Sequence, residues 1–297
     1  MRRAVANDSV AGRSFDEFVA IDWSGARGKY QGIAVATCGA GNDGPTLVKS
    51  AGTRWTRHEI AEWLVAKLGG ATRVLVGLDF AFGFPYEEGC GYLAGSTAIN
   101  DIFQLWSLID EKSGADPDFG CSAFVDHPDH AHLFWRTSRA PARWENRKRR
   151  TELVCAELTR TRPDTVYKLI GPKQVGKASI TGMRVLKVVR SRARNVAVWP
   201  FEPISRSALV EIYPTLFRMH AMSDIAKVRT WSALNDALKQ LGCRTAGTRP
   251  CRRPTDHETD ALISAAGLRA FSSNPKLWAP DEIRSPRVRR EGWIFGV

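Results

Sequence analysis

The sequence predicts an α/β fold with a mixed sheet, in which three antiparallel strands precede parallel strands, flanked by helices. Three observations predict it. Three apolar runs, separated by Gly and Asn, fill the first fifty residues, which is typical of an antiparallel meander. A segment with helical spacing follows. The nearly continuous apolar run "RVLVGLDFAFGFP" comes next, as expected of a central strand covered on both faces.

The elements at the start of the chain are the clearest. The strands are predicted at "FVAID", "GIAVATC" and "TLVKSAG". The helix "TRHEIAEWLVAKLGG" begins where Thr56 and Glu59 stand in capping-box register, and Gly69 ends it. We therefore expect a single domain over residues 15–297, preceded by a flexible tail at residues 1–14.

A largely helical insertion is predicted at about residues 86–195, where loops rich in Gly, Pro, Asp and His separate helical stretches near Ala98–Lys112 and Arg143–Arg160. "VAVWPF" and "SALVEIYPTLF" then restore strand character, and "SALNDALKQLG" predicts a short helix. The last clear helix opens on Thr255 with Glu258 three residues later, again in capping-box register.

The amino-acid composition limits the class of protein to which this chain can belong. The 297 residues are 43% hydrophobic and 25% charged, as in ordinary globular proteins, and no apolar run is long enough to predict a membrane span or a signal peptide. The six scattered cysteines contain no C-x-x-C pair, so we expect reduced thiols and a cytoplasmic protein. A formal net charge of +12 makes nucleic acid the first partner to consider.

Four acidic residues interrupt apolar runs: Asp22, Asp79, Glu211 and Asp260. Because ionised carboxylates are costly to desolvate, each needs a hydrogen-bond partner, a cation or a raised pKa. A hard divalent cation is the simplest common partner. The alternatives are turn residues for the two Asp at strand ends, a buried ion pair for Glu211, and a first-turn acid that stabilises the helix dipole for nearby Asp256.

The order of several phrases resembles a known family. "AIDWSGA", "GLDFAFGFP", "QVGKASITGM", "VEIYPTLF" and "DHETDALISA" are similar to the predicted-nuclease family called domain of unknown function 429, within the ribonuclease H-like superfamily. The resemblance runs from about Phe15 to Phe271 and implies a ribonuclease H-like fold. The active site that it implies comprises four carboxylates and a possible fifth ligand: Asp22, Asp79, Glu211, Asp260 and Asp256.

The resemblance implies phosphodiester hydrolysis of DNA or RNA with two Mg²⁺ or Mn²⁺ ions, bridged by Asp22 and completed by the other carboxylates. One alternative is an actin-like or sugar-kinase-type ATP-dependent phosphotransferase, which also begins with an Asp strand and a Gly turn. Such proteins usually carry a second Gly-rich adenosine-binding phrase, and this chain shows none. The other alternative is a catalytically silent nucleic-acid-binding protein.

The segment "GPKQVGKAS" is one residue short of a nucleotide-binding P-loop. That motif needs Ser or Thr directly after Gly-Lys to ligate Mg²⁺, and Ala178 stands there instead. A Gly-rich turn before a helix remains, at which Lys173 and Lys177 either contact a substrate phosphate or stay solvated.

Two further clusters carry alternatives. "WRTSRAPARWENRKRR" holds seven basic residues against one acid and predicts either a nucleic-acid surface or a solvated helix face. In the first case Trp144 stacks on bases, and Arg143, Arg147 and Arg150 share one helical face. "DHPDHAH" offers His130 and His132 to a transition metal, but its spacing matches no zinc template.

Overall fold

The structure is a computed structural model that describes residues 14–26, 28, 32–93, 99–142, 144–171, 174–222, 226–244 and 252–297. Residues 1–13 of the predicted tail, together with Arg143 and Lys173, lie outside the described residues.

A six-stranded mixed sheet forms the centre of the molecule, in the order β3-β2-β1-β4-β6-β5. The strands are β1 (Glu17–Asp22), β2 (Ala34–Gly39), β3 (Thr46–Val48), β4 (Val74–Leu78), β5 (Val196–Val198) and β6 (Ser207–Glu211). The first three pair antiparallel, whereas β1, β4, β6 and β5 run parallel. The predicted α/β class and the change from antiparallel to parallel pairing are therefore confirmed.

Nine α-helices surround the sheet within the described ranges: α1 (Arg57–Gly69), α2 (Ile102–Lys112), α3 (Ser122–Asp126), α4 (Arg150–Thr159), α5 (Gly176–Arg192), α6 (Pro214–Met222), α7 (Trp231–Gln240), α8 (Asp256–Ser272) and α9 (Pro286–Glu291). Both predicted capping boxes are present, at Thr56 and Thr255. None of these helices is both long and apolar enough to cross a membrane.

The sheet separates two hydrophobic cores. Side chains alternate along β1, so Val19 and Ile21 face one core with α1 and α5, while Phe18 and Ala20 face the other with α6 and α8. Every residue of β4 is buried, as its continuous apolar run predicts. Helices therefore cover both faces, and the carboxyl edge of the parallel strands is left for a site.

Two predicted elements end or begin elsewhere. The run "SALVEIYPTLF" is a strand only as far as Glu211, because α6 begins at Pro214. The helix predicted from residue 143 begins at Arg150, so the shared helical face of Arg147 and Arg150 is wrong. Arg149, in extended conformation just before the helix, binds Glu152 through its backbone N–H and its guanidinium, which fixes the start of α4 there.

Candidate active site

Strand register brings two of the predicted acids together. Leu78 of β4 is paired with Ile21 of β1, so the next residues, Asp79 and Asp22, lie side by side at the carboxyl edge of the sheet. The Asp79 N–H donates to the Ile21 carbonyl at 3.0 Å and continues the pairing to this edge. Since ligands of parallel α/β sheets bind outside the carboxyl ends of the strands, this edge is where a site is expected.

Helix α8 brings the third acid. It packs across β1 and β2, and its second turn carries Asp260. The negative charges of Asp22 and Asp260 both raise the pKa of Asp79, which places the three carboxylates within electrostatic range of one another. The structure therefore brings together three of the four predicted acids in one cluster, hereafter the carboxylate cluster: Asp22, Asp79 and Asp260.

Asp22 is bound by a histidine that the sequence did not single out. The Nδ1 atom of His257, in the first turn of α8, lies 2.5 Å from Asp22 Oδ2. This contact raises the pKa of His257, while burial raises the pKa of Asp22 against the opposing effect of the imidazole. His257 stands three residues before Asp260, on the same helix face. That i, i+3 spacing was the signal in the sequence from which His257 could have been identified.

Asp256, the possible fifth ligand, is exposed at the start of α8. Its carboxylate makes no hydrogen bond or ion pair with any described residue. This position is typical of a first-turn acid, whose negative charge is stabilised by the positive end of the helix dipole.

Asp260 is buried, and its carboxylate binds two basic side chains. The Arg218 guanidinium, from α6, binds Oδ1, and the Lys227 ammonium binds Oδ2. Arg218 is buried and also donates to Thr215 Oγ1 at 2.7 Å, whereas the Lys227 side chain is 41% exposed. Neither cation was predicted from the sequence, because each lies more than thirty residues from Asp260 along the chain.

Asp79 differs from its neighbours because its carboxylate has no hydrogen-bond or ion-pair partner in the described part of the chain. Burial raises its pKa well above the ordinary value, and the charges of Asp22 and Asp260 raise it further. A carboxyl group with a strongly perturbed pKa beside a cavity is a functional-site candidate.

Glu211 lies near the cluster but is committed to Arg149. The guanidinium donates to its two carboxylate oxygens at 2.6 and 2.8 Å, and the Phe82 N–H donates at 2.9 Å. Arg149 also donates to Glu152 at 2.7 Å, and burial raises the pKa of Glu152 to about 6. The buried-ion-pair alternative thus describes Glu211 in this structure, and the acids that remain available to a cation are those of the carboxylate cluster.

A cavity of about 460 Å³ opens at this edge of the sheet. Its lining includes the unpaired Asp79, Asp260 with its two cations Lys227 and Arg218, the Arg149 and Glu211 pair, and apolar surface from Trp23, Phe80 and Tyr213. The volume falls in the range of about 300–1,000 Å³ that is typical of small-ligand sites.

The segment "GPKQVGKAS" supplies one wall of this cavity through Gln174, Val175 and Ala178. Its second glycine begins α5, which packs against the loop after β1 so closely that a Cβ at Gly25 would overlap the backbone of Ala178. Lys177 is exposed. The segment therefore forms a helix start beside the carboxylate cluster.

Trp144, Arg147 and Arg150, which were predicted to bind nucleic acid, lie outside the cavity lining. Trp144 packs against Trp135 with ring centroids 5.1 Å apart, and the Lys168 ammonium lies 5.4 Å from the Trp135 ring centroid. Arg147 pairs with Glu87 at 3.3 Å, and Arg150 is exposed.

His130 is buried, and its Nε2 atom has no hydrogen-bond partner in the described structure, while His132 is exposed. Burial lowers the pKa of His130, and its ring packs 4.3 Å from that of Phe124. These contacts match a core histidine.

The cluster has the donors that a hard divalent cation prefers, namely carboxylate oxygens, one of them on the unpaired Asp79. Over the described ranges, no three His, Cys, Asp or Glu side chains are arranged as a ready-made metal site. Asp260 Oδ2 faces Lys227 and Asp22 Oδ2 faces His257, and both of these partners are about half exposed. The donor chemistry fits such a cation, and the two partners would have to turn away from the carboxylates for it to bind.

Comparison with known proteins gave no match: no family model, no curated protein and no solved structure matches this chain.

Proposed function

We propose that this protein is a divalent-metal-dependent nuclease that hydrolyses phosphodiester bonds of nucleic acid at the carboxylate cluster. The observation that carries the proposal is the convergence of Asp22, Asp79 and Asp260 beside a cavity, with Asp79 unpaired among the described residues. The mixed sheet and the sequence phrases that resemble domain of unknown function 429 support the same ribonuclease H-like assignment.

In this proposal Asp22, Asp79 and Asp260 hold Mg²⁺ or Mn²⁺, with two ions as the resemblance implies. The metal, when bound, supplies Lewis-acid activation of the phosphate and a lowered pKa of the attacking water. Arg218 has a structural role, because it is buried against Asp260 and Thr215 and so fixes the direction of the Asp260 carboxylate.

The Lys227 ammonium binds Asp260, and the His257 imidazole binds Asp22. Both partners are about half exposed, and in this proposal they turn toward a phosphate that enters the cavity. Hydrolysis balances with one water, whose hydroxyl adds to phosphorus and whose proton goes to the leaving oxygen. The net charge of +12 concentrates polyanions at the surface.

The test is cleavage of labelled single-stranded, duplex and hybrid DNA and RNA in Mg²⁺, Mn²⁺ or EDTA. We expect metal-dependent products from the wild type and a rate at least about 100-fold lower for Asp79→Asn, because the amide is a weaker ligand without charge. Asp236→Asn is the matched control, since Asp236 lies on α7 and is 70% exposed. It should cleave like the wild type.

Two further readouts separate loss of chemistry from loss of fold. Calorimetric titration with Mn²⁺ should show weaker binding to Asp79→Asn. The same variant should unfold at higher urea concentration at pH 7, because a carboxylate that burial and like charges destabilise has been removed. Full activity of Asp79→Asn would contradict the proposal. If the wild type binds nucleic acid in a salt-sensitive manner but does not cleave it, the catalytically silent alternative is established instead. The pairing of Asp260 with two cations favours that alternative.

A further inference from the structure

The cavity extends well beyond the carboxylate cluster, and its far wall comes from the insertion. Residues 161–164, between α4 and α5, line the same cavity as Asp79 and Asp260. Trp23, Phe80 and Tyr213 add aromatic surface to the lining. The acids thus lie beside a partly open cavity, one wall of which comes from the insertion.

Hydrogen bonds fix this wall in place. The hydroxyls of Thr161 and Tyr213 lie 3.3 Å apart and join the wall to the segment that follows β6. The Lys148 ammonium donates to the Pro163 carbonyl at 2.7 Å, and the Lys168 ammonium binds Asp164 at 2.6 Å.

Three polar groups on the lining are without partners among the described residues. The Nε atom of buried Arg218 and the Oε1 atom of Gln174 are enclosed but make no hydrogen bond. Arg162 is exposed at the wall, and its guanidinium makes no hydrogen bond or ion pair. Because buried polar atoms are nearly always satisfied, an orphan donor and an orphan acceptor in one cavity indicate a polar ligand.

We infer that this cavity holds a single nucleotide at the end of a single strand, so that the enzyme removes nucleotides from ends rather than cutting internally. The inference deepens the proposed function and rests on it. A volume of about 460 Å³ is sufficient for one nucleotide, and the wall at residues 161–164 borders it on the side of the insertion. Aromatic faces take the base or sugar, Arg162 binds a phosphate, and the orphan atoms find partners on the nucleotide.

Each turnover then releases one nucleoside monophosphate. Water adds its hydroxyl to the phosphorus of the bond between the last two nucleotides, and the leaving oxygen takes the proton. No oxidant, reductant or second substrate is needed.

The first experiment compares linear and circular single strands of the same sequence, as DNA and as RNA, with the full-length protein and Mn²⁺. We expect mononucleotides from the linear strands and rates on circles at least about 100-fold lower, since a circle offers no end. Cutting of circles at a similar rate, or large internal fragments from linear strands, would overturn the inference while leaving the nuclease proposal standing. No cleavage of any strand would overturn the nuclease proposal and, with it, the removal of ends.

The second experiment tests the cavity without relying on activity. Adenosine 5′-monophosphate and adenosine 3′-monophosphate are titrated separately into the protein in EDTA, by calorimetry. We expect one of them to bind, with affinity at least about tenfold lower for Arg162→Ala, because a hydrogen bond to a charged group is lost. Arg194→Ala is the matched control: Arg194 is exposed between α5 and β5, at the opposite edge of the sheet.

These outcomes separate the two claims. Nucleotide binding that depends on Arg162, without cleavage, would leave a nucleotide cavity and remove the nuclease. If neither nucleotide binds, or if both arginine variants weaken binding equally, the nucleotide cavity is wrong even where linear strands are cut.

Discussion

At the scale of single residues, Arg149 binds two buried acids at once. Its guanidinium pairs with Glu211 and Glu152, and all three side chains are at most 5% exposed. A buried ion pair contributes little net stability against a well-packed apolar replacement, but removing one partner leaves an uncompensated buried charge. Arg149 also donates to the Glu291 carbonyl at 3.1 Å, so it ties together α4, β6 and the C-terminal segment.

Arg149→Met should therefore lower the free energy of unfolding by about 3–5 kcal/mol, because two buried carboxylates lose their cation. Urea denaturation at pH 7 measures this. Arg192→Met is the control, since Arg192 pairs with Glu62 on the surface and should cost less than about 1 kcal/mol. Equal losses in the two variants would show that the buried network has no special role.

Glu152 gives a pH dependence of defined sign. Burial raises its pKa to about 6 from an ordinary 4.5 in the unfolded chain. Between these values the folded protein holds a proton that the unfolded chain has released, so the free energy of unfolding falls as pH rises from 4.5 to 6. The contribution is about 2 kcal/mol.

Glu152→Gln should lack this component. Its stability relative to the wild type should therefore rise by about 2 kcal/mol between pH 4.5 and pH 7, as measured by urea denaturation across the range. A constant difference between the two proteins over that range would contradict the assignment.

At the scale of elements, α5 and α8 hold the site together from opposite faces of the sheet. The capping box at Thr255 begins α8, and this start places His257 on Asp22 and Asp260 beside Asp79. On the other face, Trp23 donates its indole N–H to Thr181 of α5 at 3.2 Å. Gly25 lets the loop after β1 approach the first turn of α5.

Gly25→Ala should move that loop away from α5, because the added Cβ would overlap backbone that cannot give way. We expect a loss of about 1–3 kcal/mol in the free energy of unfolding, together with reduced cleavage. Gly69→Ala, at the end of α1, is the control: its Cβ would meet nothing within 4 Å, and stability should stay level or rise slightly. Unchanged stability and cleavage in Gly25→Ala would contradict the close approach.

At the scale of the whole molecule, the proposed function depends on both the overall charge and the cavity. The protein carries a net charge of +12, and the three carboxyl groups of the cluster lie together at one edge of the sheet. Lys168 connects the aromatic pair Trp135 and Trp144 to the cavity wall, because its ammonium lies over the Trp135 ring and also binds Asp164. Under the proposed function, we therefore expect a strand that ends in the cavity to contact this pair.

The logarithm of the affinity for a labelled single-stranded oligonucleotide, measured in EDTA, should fall linearly with the logarithm of the salt concentration. The slope should be about −0.7 per phosphate contact. Trp135→Ala should weaken binding about fivefold or more, through lost base stacking. Trp63→Ala is the control, as Trp63 is also partly exposed but lies on α1. Salt-independent binding, or equal effects of the two variants, would exclude this surface.

The sequence by itself determined the features that depend on neighbours along the chain. Alternation and continuous apolar runs located β1 and β4, and the pairs Thr56 with Glu59 and Thr255 with Glu258 located two helix starts. The same local patterns put Asp22 and Asp79 at strand ends. These signals act over a few residues, because strand alternation and helix capping are local effects of the backbone.

Only the tertiary structure decided which groups face these acids. The paired residues lie far apart along the chain: His257 and Asp22 by 235 positions, Arg149 and Glu211 by 62, and Arg218 and Asp260 by 42. With 43 Lys and Arg residues in the chain, no local pattern selects Arg149 or Arg218. They are chosen by how the helices pack on the two faces of the sheet, because a buried charge must be matched by whichever opposite charge the packing brings within reach.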